Sequence, residues 1–132
     1  MSGAFEDSMA RSVAAMNQGD KEGWSKEMHP DLTVLPVPGW PDAGPFSGID
    51  DSWDFFRRID DAFLEAGPVR IVEIVSEGDR AVASVSRIVK VEGQPEPIET
   101  VVHMAIRLSD GKTIENANFL DHDQALAHAG LD

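Results

Sequence analysis

The chain has 132 residues, eleven basic against twenty-four acidic side chains, a formal net charge of −13 and no cysteine. That length suits one domain spanning residues 1–132. The acidity argues against nucleic acid and anionic membranes as partners, and the missing thiols exclude disulfides, thiolate metal ligands and a cysteine nucleophile. Met1–Ala10 lacks the basic and apolar regions of a signal peptide, and no apolar run approaches the ~18 residues of a membrane span. A soluble cytoplasmic protein is expected.

Phe5, Met9, Val13 and Met16 recur at spacings of three and four and predict an amphipathic helix over Ala4–Gln18. Asp20 is a good N-cap for a second, shorter helix, Lys21–Met28, which His29-Pro30-Asp31 stops. Leu32–Val37 reads as a strand. Pro36–Ser47 then holds four prolines, two glycines, Trp40 and Phe46, and reads as a structured loop. A third helix is expected over Ile49–Ala66, closed by Gly67-Pro68. From Val69 the hydrophobic period changes to two, and Val69–Ser76, Ala81–Glu92, Glu99–Leu108 and Thr113–Asp121 read as strands. Gly78-Asp79, Gly93-Gln94-Pro95 and Asp110-Gly111 are the turns between them. Asp123–Ala129 forms a short terminal helix capped by Gly130. Three helices followed by an antiparallel meander make an α+β domain whose curved antiparallel sheet wraps the helices.

Alternation along the strands assigns faces. If Arg87 points inward, so do Val85 and Val89, then Val102, Met104 and Ile106 on the next strand, and Ile114, Asn116, Asn118 and Leu120 on the last. The pocket so drawn is mostly apolar with one guanidinium and two amides, which suits a small apolar or anionic metabolite with oxygen acceptors. Arg87 could equally pair with a carboxylate such as Glu73, and the two asparagines could satisfy buried backbone groups. His103 falls on the outer face. Asp121-His122-Asp123 reads as a strand exit and helix N-cap rather than a metal cluster, and no metal or cofactor is expected. Val82, Ser84, Ile88, Ala105 and Phe119 leave the outer face uncharged, so a homodimer through that face is expected.

The order of elements and several short motifs resemble a known family. Arg11-Ser-Val-Ala-Ala-Met-Asn-Gln-Gly-Asp20 resembles the end of the first helix in bacterial ketosteroid isomerases. Pro38-Gly-Trp-Pro-Asp-Ala-Gly-Pro-Phe-Ser-Gly48, the paired Phe55-Phe56, Asp110-Gly-Lys112, Phe119-Leu-Asp121 and Ala125-Leu-Ala-His-Ala-Gly-Leu131 are similar to the SnoaL-like branch of the nuclear transport factor 2-like superfamily. The resemblance implies a cone-shaped α+β barrel with a pocket between the helices and the concave sheet face. It brings Ser12, Met16, Trp40, Phe55 and Phe56 into the candidate lining beside Arg87, Val102, Met104, Asn116 and Asn118.

The family's known chemistries do not transfer intact. Ser12 stands where the isomerases carry an oxyanion-donating tyrosine, Val34-Leu35-Pro36-Val37 where their aspartate base lies, and Val102 and Met104 near their second carboxyl. Arg87 matches the arginine of limonene-type epoxide hydrolases, but Val89 and Asn118 replace their two aspartates. The resemblance implies a SnoaL-like enzyme of isomerase, cyclase or hydrolase type on an apolar oxygenated metabolite. A non-catalytic binder of such a molecule and a dimeric interaction module are the alternatives.

Overall fold

A computed structural model describes residues 3–132. Helices α1 (Gly3–Asn17) and α2 (Lys21–Ser25) lead into strand β1 (Met28–Leu35). After the proline-rich loop come β2 (Phe46–Ser47), helix α3 (Ile49–Asp61), β3 (Glu65–Ala66), β4 (Arg70–Glu77), β5 (Arg80–Lys90), β6 (Ile98–Ser109), β7 (Lys112–Phe119) and helix α4 (His122–Ala129). All strands join one curved sheet in the order β2-β1-β7-β6-β5-β3, with β4 also pairing β5. The α+β cone expected from the sequence is the fold observed.

The meander turns behave as read: Asp110 (φ 54°) and Gly111 (φ 76°) both take left-handed backbone, the requirement of a tight type I′ hairpin. Asp20 and Asp121 are the expected caps, accepting from the backbone N–H of Gly23 and Gln124 at 3.0 Å each.

Four local expectations need correction. The second helix stops at Ser25, and Met28 with His29-Pro30 already begins β1. Met28 keeps its place in the core beside Trp24 but reaches it from a strand, where it pairs with Thr113. The sheet is not wholly antiparallel, because β1 runs parallel to β7, with Val34 opposite Asn116. The third helix ends at Asp61 rather than Ala66. Strand β5 outruns its partner β4, whose pairing ends at Arg70 opposite Ser86. The peptide groups left over on β5 recruit residues 64–67: Leu64 N–H donates to Lys90 C=O (2.9 Å) and Gly67 N–H to Ile88 C=O (2.8 Å). Only glycine fits at position 67, since a Cβ there would lie 2.9 Å from the Ile88 oxygen. Finally, Leu120 lies beyond the end of β7 and is exposed, not inward.

Among the described residues the core lies in three clusters. Trp24, Leu32, Val34, Trp53 and Phe55 join α2, β1 and α3. Met9 of α1 packs on Ala83, Met104 and Ile106 of the concave face, with Val13, Val85 and Val102 around them. On the convex face Val82, Ala105 and Ala117 are covered by Ala125 and Ala129 of α4. The terminal helix therefore covers this part of the outer face. Small residues on both sides allow this close approach. A strip farther along the same face stays open, with Val75, Ile88 and Val101 between 38% and 47% exposed.

Candidate functional site

Strand alternation does place Arg87 on the concave side, on the face of Ala83 and Val85 and opposite Thr100 of β6. It sits at the end of β5 where the chain passes from β3 to β4 across the sheet edge. Its guanidinium is committed to that corner. Nε and Nη2 both donate to the Gly67 carbonyl (3.0 and 2.9 Å), and Nη1 donates to Asp60 Oδ1 at 2.6 Å. The carboxylate that compensates Arg87 is thus Asp60 of α3. Glu73 points to the other face, where its carboxylate lies 3.4 Å from His122 Nε2.

Around this pair opens a cleft of about 290 Å³, formed by the end of α1, the last turn of α3 and the β3–β4 turn. Asn17 clamps that turn: its side-chain amide donates to Val69 C=O (2.9 Å) and accepts from Val69 N–H (2.8 Å). Met16, Ala66 and Pro68 supply apolar wall. Arg57, one helical turn before Asp60, is the second cation of the cleft. It lies 3.5 Å from Asp60 Oδ2, donates to the Met16 carbonyl at a long 3.4 Å, and covers the Trp53 ring at 5.5 Å. The charged lining is therefore two guanidiniums around one carboxylate.

The other expected lining residues lie outside this cleft. Asn118 Nδ2 donates to Leu35 C=O (2.8 Å) and to Asn116 Oδ1 (3.0 Å), while Asn116 Nδ2 points to the Met104 sulfur at 3.5 Å. The Asn118 amide thus satisfies both the Asn116 oxygen and the β1 backbone inside the barrel. Ser12 is buried, and its hydroxyl donates to Met9 C=O. Phe55 is core and stacks on Phe46 at 4.3 Å, Phe56 and Trp40 pack against the same cluster, and Val102 and Met104 pack toward Met9. Of the ten expected residues, Met16 and Arg87 line the cleft. Its remaining functional groups, Arg57, Asp60 and Asn17, escaped a reading that looked for chemistry on the strands. The available signal was an Arg–Asp pair three apart on the polar side of α3.

A family model for the SnoaL-like domain matches residues 9–116. The chain belongs to the SnoaL-like domain family. No curated protein matches the sequence. Solved structures similar to this SnoaL-like domain include TerC co-crystallised with polyporic acid, 19% identical with a TM-score of 0.77 over 96% of this chain and 97% of that one. A nuclear transport factor 2-like protein of unknown function from Burkholderia pseudomallei is 18% identical with a TM-score of 0.76, covering 98% of both chains. IdmH from Streptomyces antibioticus, provisionally a polyketide cyclase, is 20% identical with a TM-score of 0.71, covering 95% of this chain and 97% of that one. At such identities the likeness establishes the fold, not the chemistry.

Two further features of the SnoaL-like domain lie on its convex side. His103 Nδ1 is 2.7 Å from the buried Ser84 hydroxyl, and its ring meets His122 edge-on at 4.9 Å. Burial holds the His103 imidazole below its ordinary range, His122 adds to the effect, and Asp121 and Glu73 oppose it. At the end of α4 a second cleft of about 220 Å³ is edged by Arg80, Arg107, Glu115 and His128. Within it His128 Nε2 contacts Glu115 Oε1 at 3.0 Å. Among the described residues no three His, Asp or Glu side chains are grouped to hold a metal ion, and no helix is long and apolar enough to cross a membrane.

Proposed function

We propose that this SnoaL-like domain is a small-molecule enzyme of isomerase, cyclase or hydrolase type, with its reaction centre in the Arg57–Asp60–Arg87 cleft. The observation that carries this reading is a carboxylate set between two guanidiniums at an open, partly apolar cleft. An ionised carboxylate has about four lone-pair sites. Asp60 Oδ1 is occupied by Arg87, but Oδ2 has its cation at 3.5 Å and retains accepting capacity. In this role Oδ2 takes a proton from a carbon or oxygen of the substrate. The N–H donors left over on Arg57 and Arg87 then hold the oxygen on which negative charge develops. Asn116 and Asn118 do not enter the step.

The non-catalytic alternative is favoured by one observation: Arg87 already spends Nε, Nη1 and Nη2 on fold partners, as a purely structural arginine does. Screening a library of oxygenated metabolites by thermal shift, followed by product analysis, separates the readings. Asp60→Asn preserves an acceptor for Arg87 and removes the base. An enzyme loses turnover in this variant while still binding its substrate; a binder shows no turnover in either form. The open convex strip of Val75, Ile88 and Val101 supports a homodimer seated beside α4 rather than in its place. Light scattering at micromolar concentration tests it, and a monomeric mass rejects it.

A further inference from the structure

The two arginines of the cleft are held very differently. Arg87 has three short hydrogen bonds and a side chain only 17% exposed. Arg57 is 42% exposed, and its contacts are longer than those of Arg87: 3.5 Å to Asp60, 3.4 Å to the Met16 carbonyl and 5.5 Å to the Trp53 ring centre. One carboxylate cannot fully compensate two guanidiniums, and among the described residues Asp60 is the only acid lining the cleft. The better-placed arginine takes the short bond, which leaves Arg57 as the loosely held cation with donors to spare.

Resting on the reading of this cleft as the small-molecule site, we infer that its ligand carries a carboxylate and that Arg57 is the residue that selects for it. The planar guanidinium fork matches a carboxylate in two parallel hydrogen bonds, a geometry its single long contact to Asp60 does not use. Arg57 swings from Asp60 to the ligand at little cost, because what it gives up is a weak, half-exposed contact. Arg87, Gly67, Asn17 and Val69 form a fixed frame and stay in place. Met16, Ala66 and Pro68 meet the hydrocarbon part of the ligand, and a single ring or short chain fits within the cleft's volume of about 290 Å³ with room to spare. The net charge of −13 repels anions at long range, but beyond about 8 Å at physiological salt that field is largely screened. Inside the cleft the lining charges sum to one positive.

The test is titration of the full chain by two-dimensional amide NMR with benzoate and cyclohexanecarboxylate, against benzamide as the uncharged isostere. The backbone N–H groups of Asn17, Gly67 and Val69 report on the cleft, and those of Arg107 and Ala129 report on the second cleft. Expected are saturating shifts at the first set with both carboxylates, and binding of benzamide weaker by about tenfold or more. Arg57→Met should weaken benzoate by a similar factor with an unchanged melting temperature, and Arg57→Lys should recover part of the loss. If benzoate and benzamide shift the cleft amides equally and Arg57→Met changes neither, the carboxylate inference is overturned while the cleft stands as the site. If neither probe shifts those amides at about 20 mM, well above the affinity of a weak fragment, or if shifts appear only at Arg107 and Ala129, both readings fall.

Discussion

Arg87 and the Asn116–Asn118 pair occupy the same face of the same sheet, and alternation makes them look like members of one pocket. The structure gives them opposite surroundings. The asparagines lie where β1 closes on β7, so Asn118 spends its donors on the Leu35 carbonyl and the Asn116 oxygen, while the Asn116 N–H faces the Met104 sulfur. Arg87 lies where β5 has outrun β4, so its side chain meets a backbone turn and the end of a helix, with solvent beside them. A polar group on a concave face is thus structural or available according to what closes over it. The strand that carries it decides only the side.

The sharpest way to break this contrast is Arg87→Met. It removes both bonds to Gly67 and the pair with Asp60, in a setting less than a quarter exposed. Urea unfolding should show a loss of about 1.5–3 kcal/mol, the scale of hydrogen bonds to a charged group. An unchanged midpoint would make the corner incidental to the fold. Asn118→Leu comes next. It leaves the Leu35 carbonyl and the Asn116 oxygen without their donor, which should cost about 1–2 kcal/mol. Benzoate binding at the cleft should not change, and a parallel loss of that binding would rejoin the two regions into one pocket.

Titration sharpens the comparison from the convex side. His103 is held below its ordinary 6.5, so below that pH the unfolded chain binds a proton that the folded chain declines. Stability therefore falls as pH drops through about 6.5 and continues to fall until the folded ring protonates. Glu27 acts in a lower window. Its hydrogen bond from Arg11, aided by Ser8 and opposed by burial, holds its carboxyl below its ordinary 4.5. The stability it contributes is complete above that value and is lost as pH falls through the folded one. Thermal melts across both windows should show His103→Gln flattening the upper one and Arg11→Met only the lower. The smallest effect on the fold is expected from Ile88→Lys on the open strip, within about 0.5 kcal/mol for a surface site. The same variant should shift any dimer toward monomer in light scattering.

The inward side of Arg87, the outward side of His103 and the Asp110-Gly111 turn were legible in the residues, because period and turn chemistry are local signals decided within a few residues. The α+β class followed from the order of the elements, and the cone from the resemblance to the SnoaL-like branch. The expected third helix shows where such signals stop. Residues 62–66 carry no helix breaker, yet they leave the helix because the unpaired end of β5 offers hydrogen bonds that a helix continuation would forgo. No pattern inside the segment reports that offer.

By itself the sequence determined the inward side of Arg87, Asn116 and Asn118, the outward side of His103 and where the chain must turn, because steric alternation and positive φ act over one or two residues wherever no bulge shifts the register. Only the tertiary structure decided the partners. Arg87 meets an aspartate 27 positions away instead of Glu73, β1 lies parallel to β7, and α4 folds back over the convex face. These choices turn on which distant surfaces pack closely and which buried donors find acceptors, and a periodicity specifies a side without specifying what will cover it.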